Sequence, residues 1–390
     1  MAANLKFLFR TVPVLCVLAT LVACSDSSDQ SVASIDAPDK LGAFGVGHSS
    51  FTAIDAMRDN RSLLVDVWYP VDPQDRRESA LTTYLLAPGI GLGSEVAVDD
   101  LPVSNRENQT LLVFSHGYGG TNTQSVELME MLASHGFIVA SPVHTGNSQS
   151  SNTDSFDEAA GNRVPDVSFV IDTMIDRSQQ TGDRFYNRID GQRVGVVGHS
   201  FGGMTAIGMA AGWAGASPDP RVVAIVPISA VIDAQLQSDT RTSPNAGFTA
   251  AQLGSITVPV MLIGGTKDVD VFIENNRIAF EQLTNSPKVY KVDIIGATHT
   301  HFANVCAIGN LLIELGITQA TWPAIGAEEL LEPYAMTCSA EAFPIEEAIR
   351  LQNLFVVSFF KRYLLGDTGY DRYLSSEYAD SEAAAKISVK

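Results

Sequence analysis

The segment G-H-S-F-G at residues 198–202 lies between two contrasting stretches of the chain. The run RVGVV at residues 193–197 is typical of a buried strand, and the small residues of 203–212 are compatible with a helix. A strand that passes through such a segment into a helix must turn sharply, which raises the hydroxyl of Ser200 clear of the sheet. Gly198 and Gly202 suit this turn because a Cβ at either position would collide with a neighbouring element. The segment therefore predicts a strand–turn–helix unit with Ser200 at its apex.

Short apolar runs alternate with longer helical patterns along most of the chain. Buried parallel strands are predicted at residues 111–115, 137–141, 194–197, 222–228, 258–263 and 289–295, with an outer antiparallel strand at 63–69. Helices are predicted at residues 122–134, 165–178, 204–212, 271–283 and 345–365. Because this alternation produces βαβ units, we expect an α/β fold with a mostly parallel central sheet and helices on both faces.

Two regions interrupt the alternation: residues 230–254, which are polar and without a clear period, and residues 303–342. No linker divides the chain beyond residue 41, so we expect one domain over residues 42–390 with an insertion at about 303–342. The hydrophobic content of 45% is enough for a sizeable core. The formal net charge of −19 disfavours binding to nucleic acid.

The first 23 residues have the features of a secretory signal peptide. Lys6 and Arg10 precede an apolar stretch at residues 11–23, which is short for a membrane span. The polar residues 24–41 that follow are expected to form a tether.

The sequence LVAC at residues 21–24 resembles a bacterial lipobox. The resemblance implies that Cys24 becomes the acylated first residue of a mature lipoprotein, and the alternative is an ordinary signal peptide cut nearby. Ser25, by the same resemblance, implies sorting to the outer membrane of a Gram-negative bacterium, on its periplasmic or cell-surface side.

The four cysteines have separate expected roles. Cys16 lies in the signal peptide and Cys24 is the acylation candidate, which leaves Cys306 and Cys338. In an exported protein a disulfide between these two is the natural pairing, and its loop would contribute on the order of 3–4 kcal/mol to stability. No C-x-x-C motif or His/Cys cluster indicates a metal site.

Residue types suited to nucleophilic catalysis follow the predicted strands in a definite order. Serine is a weak nucleophile at neutral pH, so Ser200 needs a base and a group that orients the base. Asp268 follows the run VMLIGGTK at residues 260–267, and His299 follows IIGAT at residues 294–298. Because catalytic groups of open α/β sheets gather at the carboxyl ends of strands, we predict Ser200 as nucleophile, His299 as base and Asp268 as acid.

Each partner of Ser200 has an alternative. Asp270 lies two residues beyond Asp268, and Asp233 follows the preceding strand. His301 lies two residues beyond His299. Proximity to the strand end favours Asp268 and His299.

Attack on a carbonyl places negative charge on its oxygen, which preformed amide donors must receive. The amide of Phe201, directly after the serine, is expected to be one donor. The glycine-rich loop SHGYGG at residues 115–120 is expected to supply the second through the amide of Tyr118. The alternative is that this loop is an ordinary strand–helix turn.

Four segments together resemble the α/β-hydrolase superfamily, over roughly residues 42–365. They are VWYP at 67–70, FSHGYG at 114–119, GHSFGG at 198–203, and GATH at 296–299 with Phe302. Within the superfamily the chain is most similar to the dienelactone-hydrolase-like group, which includes plasma-type platelet-activating-factor acetylhydrolases and cutinase-like polyester hydrolases. The acetylhydrolase pattern places the acid near Asp233, and the cutinase-like pattern places it at Asp268.

The residues and the resemblance together imply a serine carboxylic-ester hydrolase that forms an acyl-enzyme and needs no metal or organic cofactor. The expected partners are a small or polymeric ester and, through the amino-terminal anchor, a membrane. Polyester and phospholipid acyl esters stay open as substrates, whereas dienelactones are disfavoured because their hydrolases use a cysteine nucleophile. The candidate from another class is a non-catalytic surface-binding protein on a hydrolase scaffold. The sequence indicates no oligomeric state.

Overall fold

This computed structural model describes residues 35–76, 81–236 and 243–390. Within these ranges the chain forms an eleven-stranded sheet. The strands, including the separate hairpin of β7 and β8, are β1 (Gly45–Asp55), β2 (Arg61–Val71), β3 (Leu81–Ala87), β4 (Ile90–Asp99), β5 (Gln109–Ser115), β6 (Ile138–Pro142), β7 (Asn147–Ser148), β8 (Ser151–Asn152), β9 (Ile189–His199), β10 (Val222–Ile228), β11 (Val260–Gly265), β12 (Val289–Ile294) and β13 (Ala385–Val389). Their order across the sheet is β13-β12-β11-β10-β9-β5-β6-β2-β1-β4-β3. The strands from β12 to β6 in this order are parallel, and β13 and β2 pair antiparallel at the two ends of that block.

The predicted α/β fold with a mostly parallel sheet is confirmed. The six predicted parallel strands fall on β5, β6 and β9 to β12, and the predicted outer strand lies within β2. The sequence pattern did not reveal β1, β3, β4 and β13, which extend the two edges of the sheet. These four strands mix polar with apolar residues, so none of them is a continuous apolar run.

Helices cover both faces of the sheet. They are α1 (Val126–Ser134), α2 (Phe156–Gln179), α3 (Phe201–Ala211), α4 (Ala250–Gly254), α5 (Glu274–Gln282), α6 (Val305–Glu314), α7 (Leu331–Cys338), α8 (Ile345–Leu364) and α9 (Ser376–Ser381). Alternate side chains of β5 enter two separate cores, as a pleated strand requires. Leu111 and Val113 share a core with residues of α2 and α3, whereas Leu112 and Phe114 share one with residues of α1 and α8.

Helix α2 begins at Phe156, so the start predicted at residue 165 is wrong. Proline is common in the first turn of a helix, but Pro165 does not mark the start of this one. The observed start is a capping box instead: the Ser155 hydroxyl accepts from the Glu158 amide, and the Glu158 carboxylate accepts from the Ser155 amide. Pro165 lies inside the helix.

Residues 303–342 fold as α6, three short 3₁₀ turns and α7. The predicted disulfide is present: Cys306 of α6 is bonded to Cys338 at the end of α7, with the Cα atoms 5.5 Å apart. Trp322 is fully buried in this segment, where its ring packs edge-on against Tyr334 of α7 with centroids 5.2 Å apart. The segment is therefore held by a buried aromatic contact as well as by a covalent link.

The predicted signal peptide and the acylation candidate Cys24 lie outside the described residues, and the division into leader, tether and domain stays a prediction. Contacts with the fold begin before residue 42, because the Asp36 carbonyl accepts from the Tyr370 hydroxyl at 3.0 Å and Asp39 is ion-paired with Arg350. No helix within the described ranges is long and apolar enough to cross a membrane.

Candidate active site

Ser200 occupies the sharp turn between β9, which ends at His199, and α3, which begins at Phe201. Its backbone has φ 57° and ψ −118°, a conformation that costs a non-glycine residue free energy and is typical of functional turns. A Cβ on Gly202 would lie 1.8 Å from the Ser115 carbonyl oxygen, and one on Gly198 would lie 2.2 Å from the Gly202 oxygen. Glycine is therefore required on both sides of the serine, as the sequence predicted for this turn.

The structure brings Asp268 and His299 together at the ends of β11 and β12. His299 Nδ1 donates to Asp268 Oδ2 at 2.8 Å. The other oxygen, Asp268 Oδ1, accepts from the backbone amides of Asp270 at 3.0 Å and Val271 at 2.7 Å. The Asp268 side chain is almost fully buried, and that of His299 is 13% exposed. The acid is thus held by the backbone with one oxygen available to the imidazole.

The charges of this pair shift both pKa values. Burial alone would lower the pKa of His299, but the charge and hydrogen bond of Asp268, with the nearby charge of Asp270, raise it above its ordinary value. Burial alone would raise the pKa of Asp268, but His299 and the Val271 amide lower it. The lowered pKa keeps Asp268 ionised at neutral pH, and the raised pKa means that His299 stays protonated to a higher pH than an ordinary histidine does.

The alternative residues lie in other arrangements. Asp233 Oδ1 accepts from the Gln235 amide at 2.9 Å in a 3₁₀ turn, and its backbone amide donates to Asn275. Asp270 is exposed and contributes charge rather than a hydrogen bond to the imidazole. His301 is fully buried, where Nδ1 accepts from the Thr298 amide at 2.9 Å and Nε2 donates to the Phe343 carbonyl at 2.8 Å. Both ring nitrogens of His301 are thus occupied by structural contacts.

The turn at residues 198–202 forms an elbow, and a chain of hydrogen bonds joins it to the glycine-rich loop after β5 and to the loop that carries His299. The Gly117 amide donates to Gln124 Oε1 at 2.9 Å, and Gln124 Nε2 donates to His199 Nδ1 at 2.7 Å. His199 Nε2 then donates to the His299 carbonyl oxygen at 2.9 Å. Burial, followed by the charge of His299, lowers the pKa of His199 to about 3, so the ring stays neutral. Both ring nitrogens of His199 are thus occupied by structural contacts, and Gln124 belongs to a hydrogen-bond chain that sequence reasoning missed.

The glycine-rich loop after β5 lies directly beside the elbow. A Cβ on Gly117 would lie 3.6 Å from the Cβ of Ser200. The ring of Tyr118 packs edge-on against that of Phe201, with centroids 5.3 Å apart, and Tyr118 is 37% exposed. The Phe201 amide belongs to the first turn of α3, where backbone amides lack partners within the helix and favour negative charge. The two predicted donors are therefore on segments that adjoin Ser200.

A small cleft beside His299 has an accessible volume of about 60 Å³. One side is formed by the loops after β11 and β12, through Val269, Asp270, Thr298, His299 and Thr300. The other is formed by α7 of the disulfide-linked segment, through Glu332, Pro333 and Met336. The segment at residues 303–342 thus shapes the space next to the candidate base.

Asp268, Asp270 and His299 also place potential ligand atoms within 4.8 Å of one another, a spacing that a metal ion can use. His299 Nδ1 is already hydrogen-bonded to Asp268 Oδ2, and both residues follow strand ends beside the elbow serine. The contacts of Asp268 and His299 are therefore those of a hydrogen-bonded carboxylate–imidazole pair.

Comparisons with known proteins agree with the fold and with an ester-hydrolase relationship. The chlorophyllase family model matches residues 102–274, which include Ser200 and Asp268. Cutinase 1 of Thermobifida cellulosilytica is 27% identical over 197 residues, covering 50% of this chain and 62% of that protein. A cutinase of Thermobifida fusca (strain YX) is 27% identical over the same length, covering 50% of this chain and 54% of that protein.

The matched region therefore spans less than two thirds of these cutinases. Among solved structures, a ferulic acid esterase from Streptomyces cinnamoneus superposes with a TM-score of 0.59 at 22% identity, covering 89% of this chain and 96% of that one. At this identity the structural match shows the fold. The chain is thus similar to the chlorophyllase family model and to bacterial cutinases, and it has the fold of the ferulic acid esterase.

Proposed function

We propose that this protein is a serine carboxylic-ester hydrolase with Ser200 as nucleophile, His299 as base and Asp268 as the orienting acid. One observation carries the proposal: a serine in a strained elbow lies at the end of β9, while the ends of β11 and β12 carry a buried carboxylate and an imidazole bonded at 2.8 Å. The similarity to cutinases supports the same reaction class.

The first half of the reaction forms an acyl-enzyme. Because His299 Nδ1 carries the proton donated to Asp268, Nε2 is the nitrogen that accepts the proton of the Ser200 hydroxyl. The serine oxygen attacks the ester carbonyl, and the amides of Tyr118 and Phe201 receive the oxyanion. The alcohol leaves with the proton returned by His299, and the acyl group stays on Ser200.

Water reverses these roles in the second half. His299 Nε2 accepts a proton from water, the hydroxide attacks the acyl carbonyl, and Ser200 leaves with the proton as the carboxylic acid is released. Ionised Asp268 stabilises the imidazolium at each proton transfer, and no step uses a metal or an organic cofactor.

The proposal extends to the substrates and to the location of the protein. The cutinase relatives favour polyester among the ester substrates, and phospholipid acyl esters are the second candidate. We also propose export and lipid anchoring through Cys24, which the amino-terminal sequence implies. A non-catalytic binding role on the same scaffold would need neither the strained serine nor the buried acid–base pair.

Ser200→Ala tests the proposal. We expect kcat for p-nitrophenyl butyrate to fall on the order of 10⁶-fold and labelling by a fluorophosphonate probe to disappear. The matched control is Ser255→Ala, an exposed serine whose hydroxyl caps the local turn at Gln252. Both variants should keep the wild-type circular dichroism spectrum. Full activity in Ser200→Ala, or a wild-type protein that neither turns over nor is labelled, contradicts the proposal. A series of esters by chain length with an emulsified polyester then distinguishes the substrate classes.

A further inference from the structure

An arginine is fully buried beneath the glycine-rich loop. Arg163 lies on α2, in the part of the helix that the sequence pattern missed, and its side chain has no exposed surface. Its guanidinium carbon lies 4.8 Å from the ring centroid of Phe201, the residue after the nucleophile. A buried charge adjoining both segments of the proposed oxyanion site needs a physical explanation.

The guanidinium donates to the loop backbone. Nη1 donates to the His116 carbonyl oxygen at 2.5 Å and to Ser115 Oγ at 3.2 Å. Nη2 donates to the Gly117 carbonyl oxygen at 2.9 Å and to Asn147 Oδ1 at 2.6 Å. These four acceptors are neutral. The nearby carboxylate of Asp166 instead accepts hydrogen bonds from the side chains of Arg58, Arg61 and His144.

The Gly117 carbonyl belongs to the same peptide unit as the Tyr118 amide. The peptide is trans, so its C=O and N–H bonds point in opposite directions. The preceding peptide unit shows the consequence: its carbonyl, on His116, accepts from Arg163, while its amide, on Gly117, donates away from Arg163 to Gln124. Fixing the Gly117 carbonyl toward Arg163 therefore directs the Tyr118 amide to the opposite side of the loop.

Three donors converge on the Gly117 carbonyl oxygen. Besides Arg163 Nη2, His116 Nδ1 donates at 2.8 Å and the Gly120 amide donates at 3.2 Å. His116 Nε2 accepts from the His144 amide at 3.1 Å, which places the ring proton on Nδ1. Donors on a carbonyl polarise its peptide unit and strengthen the amide as a donor.

The charge of Arg163 persists at neutral pH. Burial lowers the pKa of Arg163 to about 9, with a smaller opposing effect from Asp166. A cation held only by neutral acceptors keeps part of its field free to act on a negative charge that develops close by. The interaction is absent in the ground state and appears when the oxyanion forms, as transition-state stabilisation requires.

We propose that Arg163 is a positioning residue for the oxyanion site, holding the Gly117–Tyr118 peptide so that its amide faces the developing charge. The inference rests on the proposed ester hydrolysis, and it assigns to α2 a role in that reaction.

Arg163→Gln tests the inference, since it removes the charge and the paired donors while keeping a polar side chain. We expect kcat for p-nitrophenyl butyrate to fall roughly 10- to 100-fold, less than the loss of a whole oxyanion donor, with KM little changed. Arg163→Lys, which keeps the charge and some donors, should restore part of kcat. Inhibition by butylboronic acid, whose serine adduct places a tetrahedral oxygen in the oxyanion site, should weaken by about the same factor as kcat/KM.

Two further variants separate positioning from a purely structural role. Arg177→Met is the matched control, because Arg177 lies on the same helix and packs on Phe51 and Phe185 away from the site. It should lower stability without the kcat-specific loss. His116→Ala removes a second donor from the Gly117 carbonyl and should also lower kcat with KM little changed. If circular dichroism shows that Arg163→Gln does not fold, His116→Ala is the variant that tests the inference.

The outcomes distinguish this inference from the proposed function. If the wild-type enzyme is active and Arg163→Gln keeps the wild-type kcat and boronate affinity, only the role of Arg163 is refuted. The same conclusion follows from a wild-type result in His116→Ala, where Arg163→Gln does not fold. Equal losses in Arg163→Gln and Arg177→Met also refute it, because they indicate general destabilisation. A wild-type protein without turnover or labelling refutes the proposed function, and the inference with it.

Discussion

Replacing Asp268 by asparagine tests the orientation of the base most directly. Asp268 Oδ1 accepts two backbone amides, from Asp270 and Val271, and an asparagine oxygen can accept the same two. The amide nitrogen of the asparagine must then occupy the place of Oδ2, which now accepts from His299 Nδ1 at 2.8 Å. An NH₂ group there can only donate, so Nδ1 would lose its proton and Nε2 would carry one. The imidazole would then be unable to accept the proton of Ser200.

Two effects set the size of the loss. Removing a charge about 4 Å from the imidazolium costs about 4 kcal/mol at an effective dielectric constant of about 20. At 1.36 kcal/mol for each factor of ten, that is a loss in kcat of about 10³-fold. The reversed tautomer adds to this, so we expect Asp268→Asn to lower kcat by about 10³- to 10⁴-fold.

The assay compares kcat for p-nitrophenyl butyrate in Asp268→Asn and Asp233→Asn, each checked for folding by circular dichroism. Asp233 bonds to backbone in its own turn, so its variant should stay within about twofold of wild type. A large loss in Asp233→Asn with a small one in Asp268→Asn would refute the assignment of the acid. Equal small losses would refute the electrostatic reasoning itself.

Two further results are expected. The kcat/KM for the same ester should rise with pH, with the midpoint of the rise above 6.5, the ordinary pKa of histidine, because Asp268 and Asp270 raise the pKa of His299 and only the neutral ring accepts a proton. Asp270→Asn should move this midpoint to lower pH. A wild-type midpoint below 6.5 contradicts the prediction. The double variant Cys306→Ser and Cys338→Ser should lose about 3–4 kcal/mol of unfolding free energy in urea titrations, because the bond closes a loop across a separation of 32 residues. Its KM should also change, since Glu332, Pro333 and Met336 of that loop line the cleft, and an unchanged urea midpoint would show that the bond is not stabilising.

Sequence reasoning succeeded where a local pattern determines the backbone. The elbow at residues 198–202 is recognisable because its glycines are required by contacts within a few residues and with the adjacent strand. Most of the six parallel strands are recognisable because their central residues are buried on both faces and form continuous apolar runs. β12 is the exception, because it contains the partly buried Lys291 and Asp293. The choice between Asp268 and Asp233 stayed open in the sequence, since both follow strands and only the fold shows which carboxylate contacts His299.

The residues that sequence reasoning missed act over long chain separations. Arg163 donates to loop carbonyls 46 and 47 residues away, and Gln124 contacts a histidine 75 residues away. Neither pairing leaves a local pattern. One local signal was nevertheless present, because Ser155 and Glu158 have the spacing of a capping box and would have placed Arg163 inside α2.

The sheet register explains how groups so distant in sequence meet at one place. Ser115 pairs with Gly198 across β5 and β9, which holds the glycine-rich loop beside the elbow. Gly265 pairs with Ile294 across β11 and β12, which holds the acid-bearing loop beside the histidine loop. β10 lies between these two pairs of strands, so β10 and β11 both separate the end of β12, which precedes His299, from the elbow at the end of β9. The hydrogen bond from His199 to the His299 carbonyl spans that gap, and the variable residue inside the G-x-S-x-G segment thereby connects the two halves of the proposed site.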